Sequence, residues 1–110
     1  MTYKVYKIIN HLNNKVYIGM TSRDINQRFK EHCYRKNRFI STNIRLDGKS
    51  HYSISKLDEF YTEKEALDFE TYSIINEKAI NPNGYNLRCD GKFAEFVLCE
   101  LAGQLKFDII

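Results

Sequence analysis

Two short runs of β-branched and aromatic residues, set on either side of a turn-forming cluster, restrict this chain more than anything else in it. Residues 3–9, Tyr-Lys-Val-Tyr-Lys-Ile-Ile, suit a strand. Asn10-His11-Leu12-Asn13-Asn14 suits a turn, because asparagine side chains bond nearby backbone and tolerate left-handed conformations. Lys15 to Gly19 is a second short strand. Strands this close in sequence pair antiparallel, so the pattern predicts a β-hairpin with Tyr6 and Tyr17 on adjacent strands and facing one side. Gly19 ends the second strand where the backbone must turn without a Cβ in the way.

Beyond the hairpin, Thr21-Ser22-Arg23-Asp24 fits a helix start, with Thr21 as the cap and Asp24 favourable in the first turn. The helix is expected to run to residue 35. Ile25, Phe29 and Cys33 recur every fourth residue as its buried stripe, while Arg28 and His32 form a second i, i+4 pair on a neighbouring face left free to work. From Arg35 to Ser50 the chain is polar and basic. Ser41 to Leu46 reads as a short helix and Asp47-Gly48 as a turn. His51 to Phe60, with Tyr52, Ile54 and Leu57, reads as a third strand, bulged because its alternation is imperfect. Thr62-x-x-Glu65 is a capping box that opens a helix over 62–78, and Pro82 and Gly84 end it. Phe93, Phe96, Val97, Leu98, Leu101 and Leu105 have helical spacing, so residues 93–110 are expected to form a C-terminal helical extension of a single domain spanning 1–110.

A chain of 110 residues, 43% hydrophobic with seven Phe and eight Tyr, can build one core and is neither disordered nor fibrous. Its net charge of +3 is compatible with a polyanionic partner. Cys33, Cys89 and Cys99 are odd in number and lack C-x-x-C spacing, so they read as free thiols of a reducing compartment rather than a zinc site. No secretion signal stands at the start and no apolar run has the length of a membrane span, so a cytoplasmic location and no membrane partner are expected.

Four ordered elements then carry a resemblance. Tyr17-Ile18-Gly19, Arg28 with His32 four residues on, a lone helical Glu70, and Asn83-Gly84-Tyr85-Asn86 stand at family-like distances. Over residues 3 to 90 the chain resembles the GIY-YIG nuclease family, especially the catalytic domains of phage and intron-encoded homing endonucleases. The first motif departs from the family's pattern: it reads Lys4-Val5-Tyr6, with a lysine in the glycine's place. The resemblance implies an α+β fold, a small three-stranded antiparallel sheet flanked by helices. It implies a metal-dependent DNA endonuclease that leaves 5′-phosphate and 3′-hydroxyl ends. In the family the second-motif tyrosine activates the attacking water while the first tyrosine and the arginine hold the scissile phosphate; these roles map onto Tyr17, Tyr6 and Arg28.

The residue chemistry is compatible with that assignment. Glu70 falls between Ala66 and Ile74 on the helical wheel, where a bare carboxylate is costly unless paired. A hard divalent cation, Mg²⁺ or Mn²⁺, would be such a partner, and Mg²⁺ accepts a single carboxylate with waters and phosphate oxygens completing its shell. Arg28 has the planar fork that matches a phosphate. His32 can donate to phosphate or take a proton through a nearby tyrosine. Tyr17, a phenol with a pKa of about 10, needs neighbouring positive charge or a proton acceptor to act as a base. Asn86 would brace the site by hydrogen bonds. Arg35, Lys36, Arg38, Arg45 and Lys49 are expected to contact DNA through its phosphates. Site specificity would then require a homodimer or a targeting protein. Two alternatives stay open: a nucleic-acid-binding module of the same fold with weakened catalysis, and a protein-interaction domain using the C-terminal helix.

Overall fold

The computed structural model describes residues 1–35 and 38–87. Lys36, Cys89, Cys99 and the helix expected over 93–106 lie outside the described residues. Strands β1 (Tyr3–Asn10), β2 (Val16–Thr21) and β3 (Tyr52–Phe60) form an antiparallel sheet in the order β2-β1-β3. Helices α1 (Ile25–Tyr34) and α2 (Phe39–Asp47) and a 3₁₀ turn (Lys49–His51) separate β2 from β3, and α3 (Glu63–Asn76) follows. The expected α+β architecture is the one observed. Among the described residues no helix is long and apolar enough to cross a membrane.

Side chains alternate across the central strand, so β1 feeds two different layers. Val5 joins Val16 and Ile18 of β2 in an aliphatic cluster closed by Ala66, Ile74 and Ala79, with α3 lying over it. Tyr6 and Ile8 point the other way, into a cluster with Ile40, Ile44, Tyr52 and Tyr85 that α1 and α2 cover. Register places Tyr6 opposite Gly19 and Ile8 opposite Tyr17, so both hairpin tyrosines share the second face. The expected bulge in β3 is present: Val5 pairs with Asp58 and Tyr6 with Lys56, which leaves Leu57 as an extra residue packed toward the α3 cluster.

The helix starts follow local chemistry, with one correction. Asp24, not Thr21, caps α1, its Oδ1 accepting from the amides of Asn26 at 2.9 Å and Gln27 at 3.1 Å. Thr21 is still the last residue of β2, paired with Lys4, and its hydroxyl accepts only from the Arg23 amide, at 3.1 Å. Thr62 caps α3 as expected, accepting from the Glu65 amide at 3.2 Å. α2 begins two residues before the expected Ser41, since Ile40 as well as Ile44 is drawn into the core.

Candidate active site

The first element of the site is a buried triad assembled across the sheet. Tyr6 and His32, both 0% exposed, meet at 2.7 Å between the tyrosine hydroxyl and the histidine Nε2. The ring of Tyr6 lies across Gly19, where any Cβ would collide with its hydroxyl end. That contact gives the glycine of Tyr17-Ile18-Gly19 a physical reason: it makes room for the facing tyrosine. Arg28, with a side chain only 13% exposed, lies beside the Tyr6 hydroxyl and acts on it electrostatically. The direction of the Tyr6–Nε2 bond follows the histidine tautomer, and the other ring nitrogen, Nδ1, is buried without a hydrogen-bond partner among the described residues.

Burial first, and then the charges of Arg28, Arg38 and Arg35, push the His32 pKa down to about 4. The imidazole is therefore neutral at physiological pH and able to accept from Tyr6. Burial drives the Tyr6 phenol upward and keeps it protonated. These positions correct the expectation that the Arg28 and His32 face of α1 would be free. His32 is the buried residue of that helix, while Ile25, Phe29 and Cys33 pack at the margin of the same cluster, only half-buried. Tyr6 is likewise enclosed, so it faces Arg28 and His32 rather than open solvent.

Tyr17 is the tyrosine that reaches a cavity. A cleft of about 470 Å³ at the β2 edge is lined by Tyr17 and Ile18, by Arg38 and Phe39, and by Glu70 and Asn86 among others. Its walls come from both layers: β2 supplies Tyr17, α2 supplies Phe39, and α3 supplies Glu70. The Tyr17 ring packs edge-on against His32 with centroids 5.2 Å apart, and 6.3 Å from Tyr6. Burial raises its pKa and Glu70 adds to the rise, while Arg38, then Arg28 and Arg35, oppose it. The phenol thus keeps its proton in the unbound protein, and Arg38 is the cation that acts on it most. Glu70 is half-buried between Ala66 and Ile74, both of which are in the core, as the helical wheel predicts.

Asn86 holds the cleft's outer strand. Its Oδ1 accepts from the Ile18 amide at 2.9 Å and its Nδ2 donates to the Ile18 carbonyl at 2.8 Å. One side chain thereby replaces a strand partner for the residue next to Tyr17. The Tyr85 amide adds a bond to the Val16 carbonyl at 2.9 Å. Gly84 permits this approach, because a Cβ there would strike the backbone of Ala79. The Tyr85 hydroxyl is held by Asn10 Nδ2 at 2.8 Å, and Tyr52, which donates to the exposed Asp47 at 2.6 Å, completes a polar cluster that runs from the interior to the surface. Asn10, Asp47 and Tyr52 gave no sequence signal for this role, since they lie 37 or more residues apart along the chain wherever they bond to Asn10.

The expected DNA-contacting residues divide. Arg38 lines the cleft; Arg45 and Lys49 border a separate hollow of about 150 Å³ with Cys33 and Tyr34. Arg35 stands beside Glu31, and its carbonyl accepts from the Arg45 guanidinium, so the ends of α1 and α2 bring these cations together. Sequence reasoning passed over Glu31, whose carboxylate meets Arg23 at 2.7 Å, Arg28 at 3.6 Å and Arg35 at 3.7 Å. Lys4, in the place of the motif glycine, donates to the Arg23 carbonyl at 3.4 Å. Among the described residues no three His, Cys, Asp or Glu side chains gather as a metal cage. The donors present suit a hard cation instead: Glu70 is the one acidic side chain among the cleft's described lining residues, and one carboxylate with room for waters and phosphate oxygens fits Mg²⁺ or Mn²⁺.

The GIY-YIG catalytic domain family matches residues 2–86. Two solved structures are similar in fold. One is the catalytic domain of the homing endonuclease I-TevI, with 25% identity and a TM-score of 0.60 over 77% of this chain and 97% of that one. The other is a point mutant of the catalytic domain of intron endonuclease I-TevI, with 24% identity and a TM-score of 0.63 over 82% of this chain and 97% of that one. Among curated proteins none matches.

Proposed function

The chain belongs to the GIY-YIG family of nuclease catalytic domains, and from that premise we propose that it is a divalent-metal-dependent DNA endonuclease leaving 5′-phosphate and 3′-hydroxyl ends. The observation that carries this reading is the meeting of Tyr17 and Glu70, from different layers of the fold, in one cleft bordered by Arg38. A single base, a single carboxylate and a cation in one opening of about 470 Å³ suit a phosphodiester better than a neutral ligand.

Tyr17 takes the proton of the attacking water. Burial keeps the phenol protonated beforehand, so its own proton passes to solvent through the open cleft as substrate binds; the phenolate then takes the water proton, and the leaving 3′ oxygen takes a proton from solvent. Arg28, lying beside Tyr6, presents its guanidinium to the phosphoryl oxygens; Tyr6 and His32 act on the phosphate through it. Asn86 keeps Ile18, and so Tyr17, in register. Glu70 would hold the Mg²⁺ or Mn²⁺ ion, which supplies positive charge for the leaving 3′ oxygen when bound. Arg38 in the cleft, and Arg35, Arg45 and Lys49 outside it, bind the DNA backbone together with Lys36, and this binding is insensitive to sequence. Site specificity then comes from a second copy of the chain or from a targeting protein.

Incubation of supercoiled plasmid with the purified protein tests the reading. Relaxed and linear products are expected with Mg²⁺ or Mn²⁺ and none with excess EDTA; intact plasmid under all conditions, with DNA binding retained, would replace the reading by that of a binding module.

A further inference from the structure

Three guanidiniums share one carboxylate on the flank of α1. Glu31 meets Arg23 at 2.7 Å, Arg28 at 3.6 Å and Arg35 at 3.7 Å, and a second Arg23 contact to the other oxygen lies at 3.0 Å. This surplus of cations holds the Glu31 carboxyl below the usual range, Arg23 first. Arg28 therefore pairs with Glu31 at its outer side and lies beside the Tyr6 hydroxyl at its inner side. Remove the carboxylate, and three like charges are left to repel one another and to seek another anion.

We propose that Glu31 is a positioning residue of the nuclease reaction, its shared carboxylate aiming Arg28 at the scissile phosphate and restraining the arginine cluster from binding the DNA backbone elsewhere. The inference rests on the nuclease reading above. It has an unusual signature, because aim and affinity move in opposite directions. Loss of the carboxylate misdirects Arg28, which slows turnover. The same loss leaves Arg23 and Arg35 uncompensated, which strengthens DNA binding and adds a phosphate contact. A residue that merely supported the fold would weaken both together.

Glu31→Gln keeps size and shape and deletes the charge. Single-turnover nicking of supercoiled plasmid with Mg²⁺ is expected to slow about tenfold or more, in line with the sensitivity of catalysis to small misplacements. Fluorescence anisotropy with a duplex oligonucleotide in EDTA is expected to report tighter binding, with a plot of log affinity against log salt steeper by about 0.9, one extra phosphate. Glu31→Ala should repeat both changes. Unchanged turnover in Glu31→Gln overturns the inference, as does slower turnover accompanied by weaker binding and a lower melting temperature. Should the unmodified protein fail to nick at all, the nuclease reading itself falls and takes the inference with it, an outcome distinct from normal nicking by both proteins.

Discussion

The two faces of the sheet are stabilised by different means. On the α3 side Val5, Val16, Ile18, Ala66, Ile74 and Ala79 form a mainly aliphatic layer, with the small hydroxyls of Thr71 and Ser73 also buried on α3. On the α1 and α2 side the buried residues include Tyr6, His32, Asn10, Tyr52 and Tyr85, whose polar atoms bond to one another. The first face gains from each apolar group withdrawn from water and tolerates small changes of shape. The second gains only while its partners are all in place, because a buried donor or acceptor left alone costs about 1–3 kcal/mol. The cleft lies on the seam, where Glu70 from the aliphatic side's helix faces Tyr17 from the polar side. The proposed chemistry thus lies where the stable face can hold the exacting one.

The largest expected effect comes from the seam itself. Glu70→Ala should lower Mg²⁺-dependent nicking by about 10³-fold or more, since it removes the cleft's described carboxylate. Thermal unfolding and metal-free DNA binding should be nearly unchanged, because Ala66 and Ile74 keep the packing of α3. Nicking at the normal rate would place the metal elsewhere and dissolve the seam as the site.

Gly19→Ala tests the polar face directly. The added Cβ meets the Tyr6 ring, so the ring must shift away from His32 and Arg28. A destabilisation of about 1–3 kcal/mol is expected, seen in urea denaturation, with a loss of nicking beyond what unfolding explains. A swap of similar size on the other face, Val16→Ile, should leave activity intact. Equal losses in the two variants would erase the distinction between the faces.

Acid should also single out the polar face. The His32 pKa falls from 6.5 to about 4 on folding, so the unfolded chain binds more protons between those values. Stability is then complete above the unfolded pKa and is lost as pH falls through 6.5 toward 4. The drop between pH 7 and pH 5 should be about 2 kcal/mol. In His32→Phe the slope across that window should flatten, although the variant is weaker overall for want of a partner to Tyr6. An unchanged slope would assign the acid sensitivity to other groups.

What could be read from the sequence follows the same division. The hairpin, the Thr62 cap and the place of Glu70 between Ala66 and Ile74 depend on neighbours within a few residues, and their signals are local. Thr21 reads as the cap and Asp24 as a first-turn residue, but pairing with Lys4 keeps Thr21 in the strand and leaves the cap to Asp24. His32 was misplaced because the spacing of Ile25, Phe29 and Cys33 defines a different stripe. Its burial depends on a tyrosine 26 residues away whose hydroxyl offers a partner. The cluster of Asn10, Asp47, Tyr52 and Tyr85, and the three-way sharing of Glu31, are likewise products of the fold. No periodicity announces which buried polar groups will find one another.

The most direct test of the account is the single-turnover rate of plasmid nicking by Tyr17→Phe beside the unmodified protein, both saturated with Mg²⁺ and matched by thermal melting. The substitution keeps the ring that packs on His32 and deletes only the hydroxyl proposed to take the proton of water. The account predicts a rate at least about 10²-fold lower with an unchanged melting temperature. A rate close to that of the unmodified protein would contradict it, since Tyr17 would then be a wall of the cleft and not its base.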